Sequence, residues 1–327
     1  TSSLVGSEMC IRDRTHPGVG FTLDNMQAFD TSKVKTPSFV NFLFDMVPVN
    51  IVDSMAKNQI MQMIFFTVLV GVALVSLGEK VAGVTKIFDQ CASIIYKMLD
   101  IVMLYSPIGV LALMANTTAV FGPKLFGVLA KFVFTDWVGC LLIWFFFSGI
   151  VWLYTKVNYL EMCKSMIPIW VNTIATNSSA GTIPITLNVT TERLKVPMSI
   201  ASFSIPLGAT INLTGAALYK TILAFFVAEI YGLQLTIDQI LMVIIISTIM
   251  SIAAPGIPGG GIVTGAIFLN LLGLPMDLMG PIAGMYRLID MSHTTVNVSG
   301  DVLGTMLVAK NENIWTGDCL LYTSPSP

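Results

Sequence analysis

Long apolar runs separated by short polar ones set the pattern of the 327 residues. Residues 60–77 carry no charge. Residues 101–120 carry none either and are interrupted by Ser106-Pro107, while residues 132–154 are rich in Phe and Trp and hold one acid, Asp136, near their start. A hydrocarbon core about 30 Å thick needs roughly 20 residues of helix at ~1.5 Å each, so each run is long enough for a transmembrane helix. The pattern predicts an all-α polytopic membrane protein.

Composition agrees with this reading. Hydrophobic residues make up 54% and charged residues 11%, against about 25% charged in an ordinary soluble domain. A net charge of -2 without a basic stripe excludes nucleic acid as a partner and leaves the bilayer. The ends, residues 1–14 and 318–327, contain neither a span nor a signal peptide and resemble translated sequencing-adapter sequence. With no starting Met, we expect a truncated gene flanked by foreign tails. Residues 15–38 are polar and read as an exposed loop. Without Cys10 and Cys319, the cysteines Cys91, Cys140 and Cys163 are scattered, with no disulfide framework and no zinc spacing. By the positive-inside rule, Lys80, Lys86 and Lys97, then Lys156 and Lys164, Arg193 and Lys195, and finally Lys310 face the cytoplasm.

Two segments do not fit simple spans. Between residues 160 and 192 the apolar stretch 166–174 runs into Thr176-Asn-Ser-Ser-Ala-Gly-Thr182 and returns to charge at Arg193, too short for two crossings. Between residues 240 and 273 an uncharged stretch is broken by Pro255-Gly-Ile-Pro-Gly-Gly-Gly261. Both predict re-entrant hairpins, whose tips survive at membrane depth only where protein or a water-filled cavity satisfies their backbone. Each is followed by a similar signature, Ile211-Asn-Leu-Thr-Gly215 and Val296-Asn-Val-Ser-Gly300. Inverted repeats with hairpins and interrupted helices meeting at the midplane point to a secondary transporter.

Asp290, His293, Thr294, Asn297 and Asp301 recur at spacings that put all five on one helix face. Ionisable groups within a span are costly and line ion or substrate paths. Asp290 can hold an ammonium, and Asp301 is a hard oxygen ligand for a small cation. The bland alternative is a polar stripe gluing helices together, with Arg287 pairing Asp290. In the other repeat, a helix broken near Gly208 and Gly215 would free carbonyls for Na⁺, while helix N-termini at the hairpin tips suit a carboxylate. Lys220, about 12 Å beyond Asn212 along a helix, is expected to snorkel to the outer interface. An intramembrane hydrolase using Ser178 or Ser179, His293 and Asp290 lacks a Gly-x-Ser-x-Gly elbow. A gated channel lacks a charge ring or filter repeat.

Ser178-Ser-Ala-Gly-Thr-Ile-Pro184, Pro206-Leu-Gly-Ala-Thr-Ile-Asn212, Gly256-Ile-Pro-Gly259 and the segment from Asp290 to Asp301 resemble the dicarboxylate/amino acid:cation symporter family, which includes the glutamate transporters. The resemblance runs from about residue 18 to 310 and implies a fold lacking its first three helices. Residues 15–120 would then be partial scaffold helices, residues 121–310 a transport domain, and residues 311–327 a C-terminal tail. It further implies a homotrimer in the cell membrane, as in a bacterial inner membrane, working by alternating access. One sodium site would use carbonyls of Gly208, Asn212 and Asn297 with the Asp301 carboxylate. A second would use carbonyls of Thr210, Ser251, Ile252 and Ala254. Thr214 stands where the family's third site has a carboxylate, which argues against a third sodium. Substrate would meet Asp290 with its amino group, Asn297 with its α-carboxylate, backbone groups of Ser179 and Ile257, and Ser178 and Thr294 nearby. Acidic-substrate members carry Arg where this chain has His293, and a neutral His is no permanent carboxylate clamp. The expected substrate is therefore a small neutral or polar amino acid. An acidic amino acid or C4-dicarboxylate, with protons as coupling ion, is the alternative.

Overall fold

The computed structural model describes residues 44, 46–57, 59–122, 124–252, 254 and 256–315. Both tails, the 15–38 loop, Cys10 and Cys319 lie outside the described residues. Regular structure among the described residues is helical throughout. These residues divide into two compact units, one within Thr36–Asn116 and one within Thr117–Pro327.

In the first unit, α1 (Ile51–Ala56) is capped by the Asn50 side chain, which accepts the Val52 and Asp53 amides. Helix α2 (Ile60–Leu77) coincides with the first predicted span. Gly78, at φ 54°, ends it and opens a 3₁₀ turn (Gly78–Val81). The loop expected to carry Lys80, Lys86 and Lys97 is largely helical. Lys80 lies in the 3₁₀ turn and the other two on α3 (Ala82–Leu104), where Lys86, Gln90, Ser93 and Lys97 recur at helical spacing. The interruption foreseen at Ser106-Pro107 falls at Tyr105, between α3 and α4 (Ser106–Phe121). Proline at the second residue of α4 is compatible with a helix start, where its missing N–H is no loss.

The second unit is built on α12 (Met279–Asn311), which packs against α5 (Lys124–Thr155), α6 (Tyr159–Thr176), α7 (Ser179–Asn188), α8 (Met198–Ile211), α9 (Thr214–Ile230) and α11 (Gly260–Leu271). Helix α10 (Ile237–Ile252) lies against α9. Both hairpins form, as α6–α7 and α10–α11. Three stretches, Met61–Ile95, Leu125–Thr155 and Met198–Ile230, are long and apolar enough to cross a membrane. Lipid tails are as apolar as Leu, so packing and interhelical hydrogen bonds hold such helices together. Trp137 Nε1 donates to the Leu288 carbonyl (2.9 Å), Trp170 Nε1 donates to Ser299 Oγ (3.0 Å), and the Thr173 and Thr295 hydroxyls pair at 2.9 Å. These bonds pin α5 and α6 to α12. At one end Met162, Met166, Leu194, Val302 and Met306 share an apolar core, closed by Trp315, which donates to the Leu194 carbonyl.

The first repeat's helix is interrupted between Gly208 and Gly215, as expected, at Asn212–Leu213 between α8 and α9, while both glycines are themselves helical. The second signature lies inside the unbroken α12. The glycines serve close approach instead. A Cβ at Gly215 would meet His293 Cα at 2.7 Å, and one at Gly300 would meet Asn212 Nδ2 at 2.6 Å. Asn297 in turn caps the Gly215 amide. The two Asn-x-x-Gly signatures therefore interlock reciprocally, each asparagine against the other's glycine.

Candidate functional site

Each hairpin tip reverses by local chemistry. Asn177 adopts the left-handed conformation that ends α6 (φ 53°, ψ 35°), a residue type that tolerates it. Ser178 then caps α7, its Oγ accepting the Gly181 amide at 3.0 Å. In the second tip, Gly259 at φ 76° turns the chain into α11. The tips touch. The Gly256 carbonyl accepts the Ser178 hydroxyl at 3.2 Å and the Ala180 amide at 3.3 Å. A side chain at Gly256 would sit 2.9 Å from the Ala209 carbonyl, so the second tip nests only because it has none.

The five polar residues of α12 are all buried: Asp290, His293, Thr294, Asn297 and Asp301. Thr294 is buried beside the other four, which divide into three groups. Asp290 faces the second tip, where its Oδ2 accepts the Gly259 amide at 3.2 Å. No ion pair joins it to Arg287 among the described residues. The Arg287 guanidinium instead donates to the Ala175 carbonyl at the end of α6 (3.4 Å), and the Asn177 side chain donates to the Arg287 carbonyl (2.9 Å).

Asn297 and Asp301 meet the broken helix. Asn212 Nδ2 donates to Asp301 Oδ1 (2.8 Å) and to the Asn297 carbonyl (3.0 Å), while its own Oδ1 accepts the Thr214 hydroxyl (2.7 Å). Asn297 Oδ1 takes the Gly215 amide at 2.7 Å, one of the unpaired N–H groups at the start of α9, and leaves its own N–H donors for an incoming group. A Cβ at Gly208 would clash with the Asp301 carboxylate. Asp301 Oδ2 is buried and has no hydrogen-bond partner. A buried carboxylate oxygen without a partner is a hard donor of the kind a small cation takes. Gly208, Asn212, Asn297 and Asp301 are thus brought together around it. At the neighbouring position, Ala254 packs on Leu213 and Ala216 beside the break, and Ser251 and Ile252 end α10. Thr210 lies in the last turn of α8, its hydroxyl bonded back to Pro206 and Leu207.

His293 turns elsewhere. Its Nε2 lies 2.8 Å from Asp136 Oδ1 on α5, and Asp136 Oδ2 accepts the Ser292 hydroxyl at 3.0 Å. The rings of Tyr219 and Tyr286 flank the imidazole at 5.5 and 6.4 Å. Sequence alone assigns Asp136 no role; its signal is that a lone acid inside a span needs a partner, and His293 on α12 is that partner. Ligand atoms of Asp136, Cys140 and His293 lie within 4.8 Å of one another. Oxygen, sulfur and nitrogen donors suit a softer metal than Na⁺. A cavity of about 460 Å³ lined by Trp137, Trp144, Trp170 and Ile174 adjoins Cys140. It is apolar and lacks the convergent polar groups of a substrate site.

Lys220 corrects the snorkelling expectation. It is fully buried in α9, its Nζ donating to the Ala216 carbonyl (3.3 Å) and to Ser251 Oγ (3.1 Å). Helix α9 is packed by α5, α10, α11 and α12, and the side chain ends inside that packing without reaching a surface.

Residues 9–311 match the sodium:dicarboxylate symporter family, a span that takes in the last residues of the tail set aside as foreign. A proton/glutamate-aspartate symporter of Bacillus subtilis (strain 168) is 31% identical over 95% of this chain and 76% of its own length. A proton/sodium-glutamate symport protein of Bacillus caldotenax is 29% identical over 90% and 72%. A C4-dicarboxylate transport protein of Bacillus subtilis (strain 168) is 29% identical over 91% and 72%. The chain belongs to the sodium:dicarboxylate symporter family and is a multi-pass membrane transporter, a cation-coupled symporter and not an enzyme.

Proposed function

We propose that the chain couples Na⁺ entry to uptake of a short acidic substrate, an acidic amino acid before a plain dicarboxylate, by alternating access. The observation that carries the reading is the buried Asp301 carboxylate, with its unpartnered oxygen beside Gly208, Asn212 and Asn297. Sodium sits there, and carbonyls of Thr210, Ser251, Ile252 and Ala254 form a second cation position. Substrate lies between the tips, its amino group on Asp290, its α-carboxylate on Asn297, with backbone groups of Ser179 and Ile257 and the side chains of Ser178 and Thr294 around it. The second hairpin closes over it, and residues 121–310 move against a scaffold that includes residues 15–120 and assembles as a trimer.

The names of the relatives favour an acidic substrate over the small neutral amino acid expected from His293. In this chain Arg287 supplies the missing clamp. It lies one helical turn before Asp290 and reaches the tip of the first hairpin, and a guanidinium binds a carboxylate as a fork. A neutral substrate is the second reading, favoured by the engagement of His293 with Asp136. Counterflow in liposomes of the intact gene product decides between them. Aspartate should compete better than serine, and Arg287→Gln should cut aspartate uptake about tenfold to a hundredfold, the ~1.4–2.8 kcal/mol of a charge-assisted pair, with little effect on serine. Better competition by serine would overturn the acidic reading.

A further inference from the structure

Lys220 stands in a setting where a lysine is hard to explain as packing. Its side chain is fully buried, and among the described residues no carboxylate lies within ion-pairing distance. The polar groups that hold it are neutral: the Ala216 carbonyl of its own helix and Ser251 Oγ of α10, with the hydroxyls of the adjacent Thr221 and of Ser247, one turn before Ser251, paired to each other (3.2 Å). A buried ammonium without a counter-ion is costly and keeps its charge only where another source of negative potential faces it. Ser251 lies in the last turn of α10, which ends at Ile252. The final carbonyls of a helix lack intrahelical partners and carry the negative end of its dipole. Lys220 thus reaches to a helix end, and that end is the one whose Ser251 and Ile252 carbonyls make up much of the second sodium position.

An ammonium and a sodium ion at the same helix end repel each other in a low-dielectric interior. We infer that Lys220 is a tethered cation that stands in for the sodium of the second position, so that α10 and its hairpin are held by a side chain and one fewer Na⁺ is carried per substrate. The inference rests on the sodium reading above. It makes Lys220 a determinant of coupling stoichiometry, acting through the end of α10 and not by touching substrate.

The test compares wild type with Lys220→Gln in proteoliposomes of the intact gene product, measuring radioactive sodium and labelled substrate fluxes together, with aspartate or serine as competition has decided. Lys220→Gln should carry one more Na⁺ per substrate and show a steeper sodium dependence, while Lys220→Arg should keep the wild-type ratio. An unchanged ratio in Lys220→Gln would overturn the inference. If wild-type uptake ignores sodium, the sodium reading fails, yet Lys220 is still tested. Gain of sodium dependence in Lys220→Gln supports the tethered cation, and continued indifference refutes it. Should Lys220→Gln not transport, thermal melting of the purified variant in Na⁺ against choline decides. A larger sodium-induced shift than in wild type supports the inference, and an equal or smaller one overturns it.

Discussion

Asp301→Asn is expected to raise the sodium concentration for half-maximal uptake by about a hundredfold or to abolish sodium-driven uptake. Loss of even an outer-shell partner costs a metal site roughly ten- to a hundredfold, and here the change removes the charged ligand itself. Asparagine keeps the volume and one acceptor, so the bond from Asn212 to position 301 can persist while the charge is lost. Restoring the charge at a different length should not rescue. Asp301→Glu adds a methylene where Gly208 already leaves no room, and Gly208→Ala should impair sodium dependence from the other side by crowding the same carboxylate. Sodium titrations of uptake in proteoliposomes, with sodium-dependent melting of the purified protein as a second readout, measure all three variants. An Asp301→Asn protein with wild-type sodium half-saturation would remove Asp301 from the coupling path.

The contrast between Asp301 and the helix break shows what a linear pattern can disclose. The spacing of Asp290, His293, Thr294, Asn297 and Asp301 required one face, and the face is real and buried. The same composition logic found both hairpins, because Gly, Pro and Asn at a tip act locally on φ and on capping. The break between α8 and α9 falls between Gly208 and Gly215, but the glycines do not make it: both are helical and are the places where α12 comes close. Whether a glycine bends a helix or admits a neighbour depends on residues far along the chain, here His293 for Gly215 and Asp301 for Gly208. Lys220 was misplaced for a related reason. Snorkelling is the default for a lysine near a helix end, and only the packing of α10, α11 and α12 around α9 removes that route.

The largest effect on stability should come from the Asp136–His293 pair, the contact that no local pattern disclosed. The partners are 157 positions apart, on α5 and α12, and both are almost wholly buried. Removing one leaves the other with a polar group it cannot satisfy, at a cost of about 1–3 kcal/mol and more for a charged group. The two single changes should be unequal. Asp136→Ala leaves an imidazole whose Nδ1 already lacks a partner, while Ser292 keeps its second bond to the Ile289 carbonyl at 2.7 Å. His293→Ala leaves the Asp136 carboxylate with a single neutral hydroxyl donor, and burying a carboxylate is the costlier outcome. His293→Ala should therefore lower the melting temperature of the detergent-purified protein further than Asp136→Ala. The double variant should melt above the sum of the single losses, since it orphans neither group. The cycle's coupling energy should fall within about 0.5–3 kcal/mol, toward the lower part because unfolded helices in a membrane find other polar partners. Strict additivity would mean that the 2.8 Å contact carries no energy and that His293 is free to serve the substrate chamber directly.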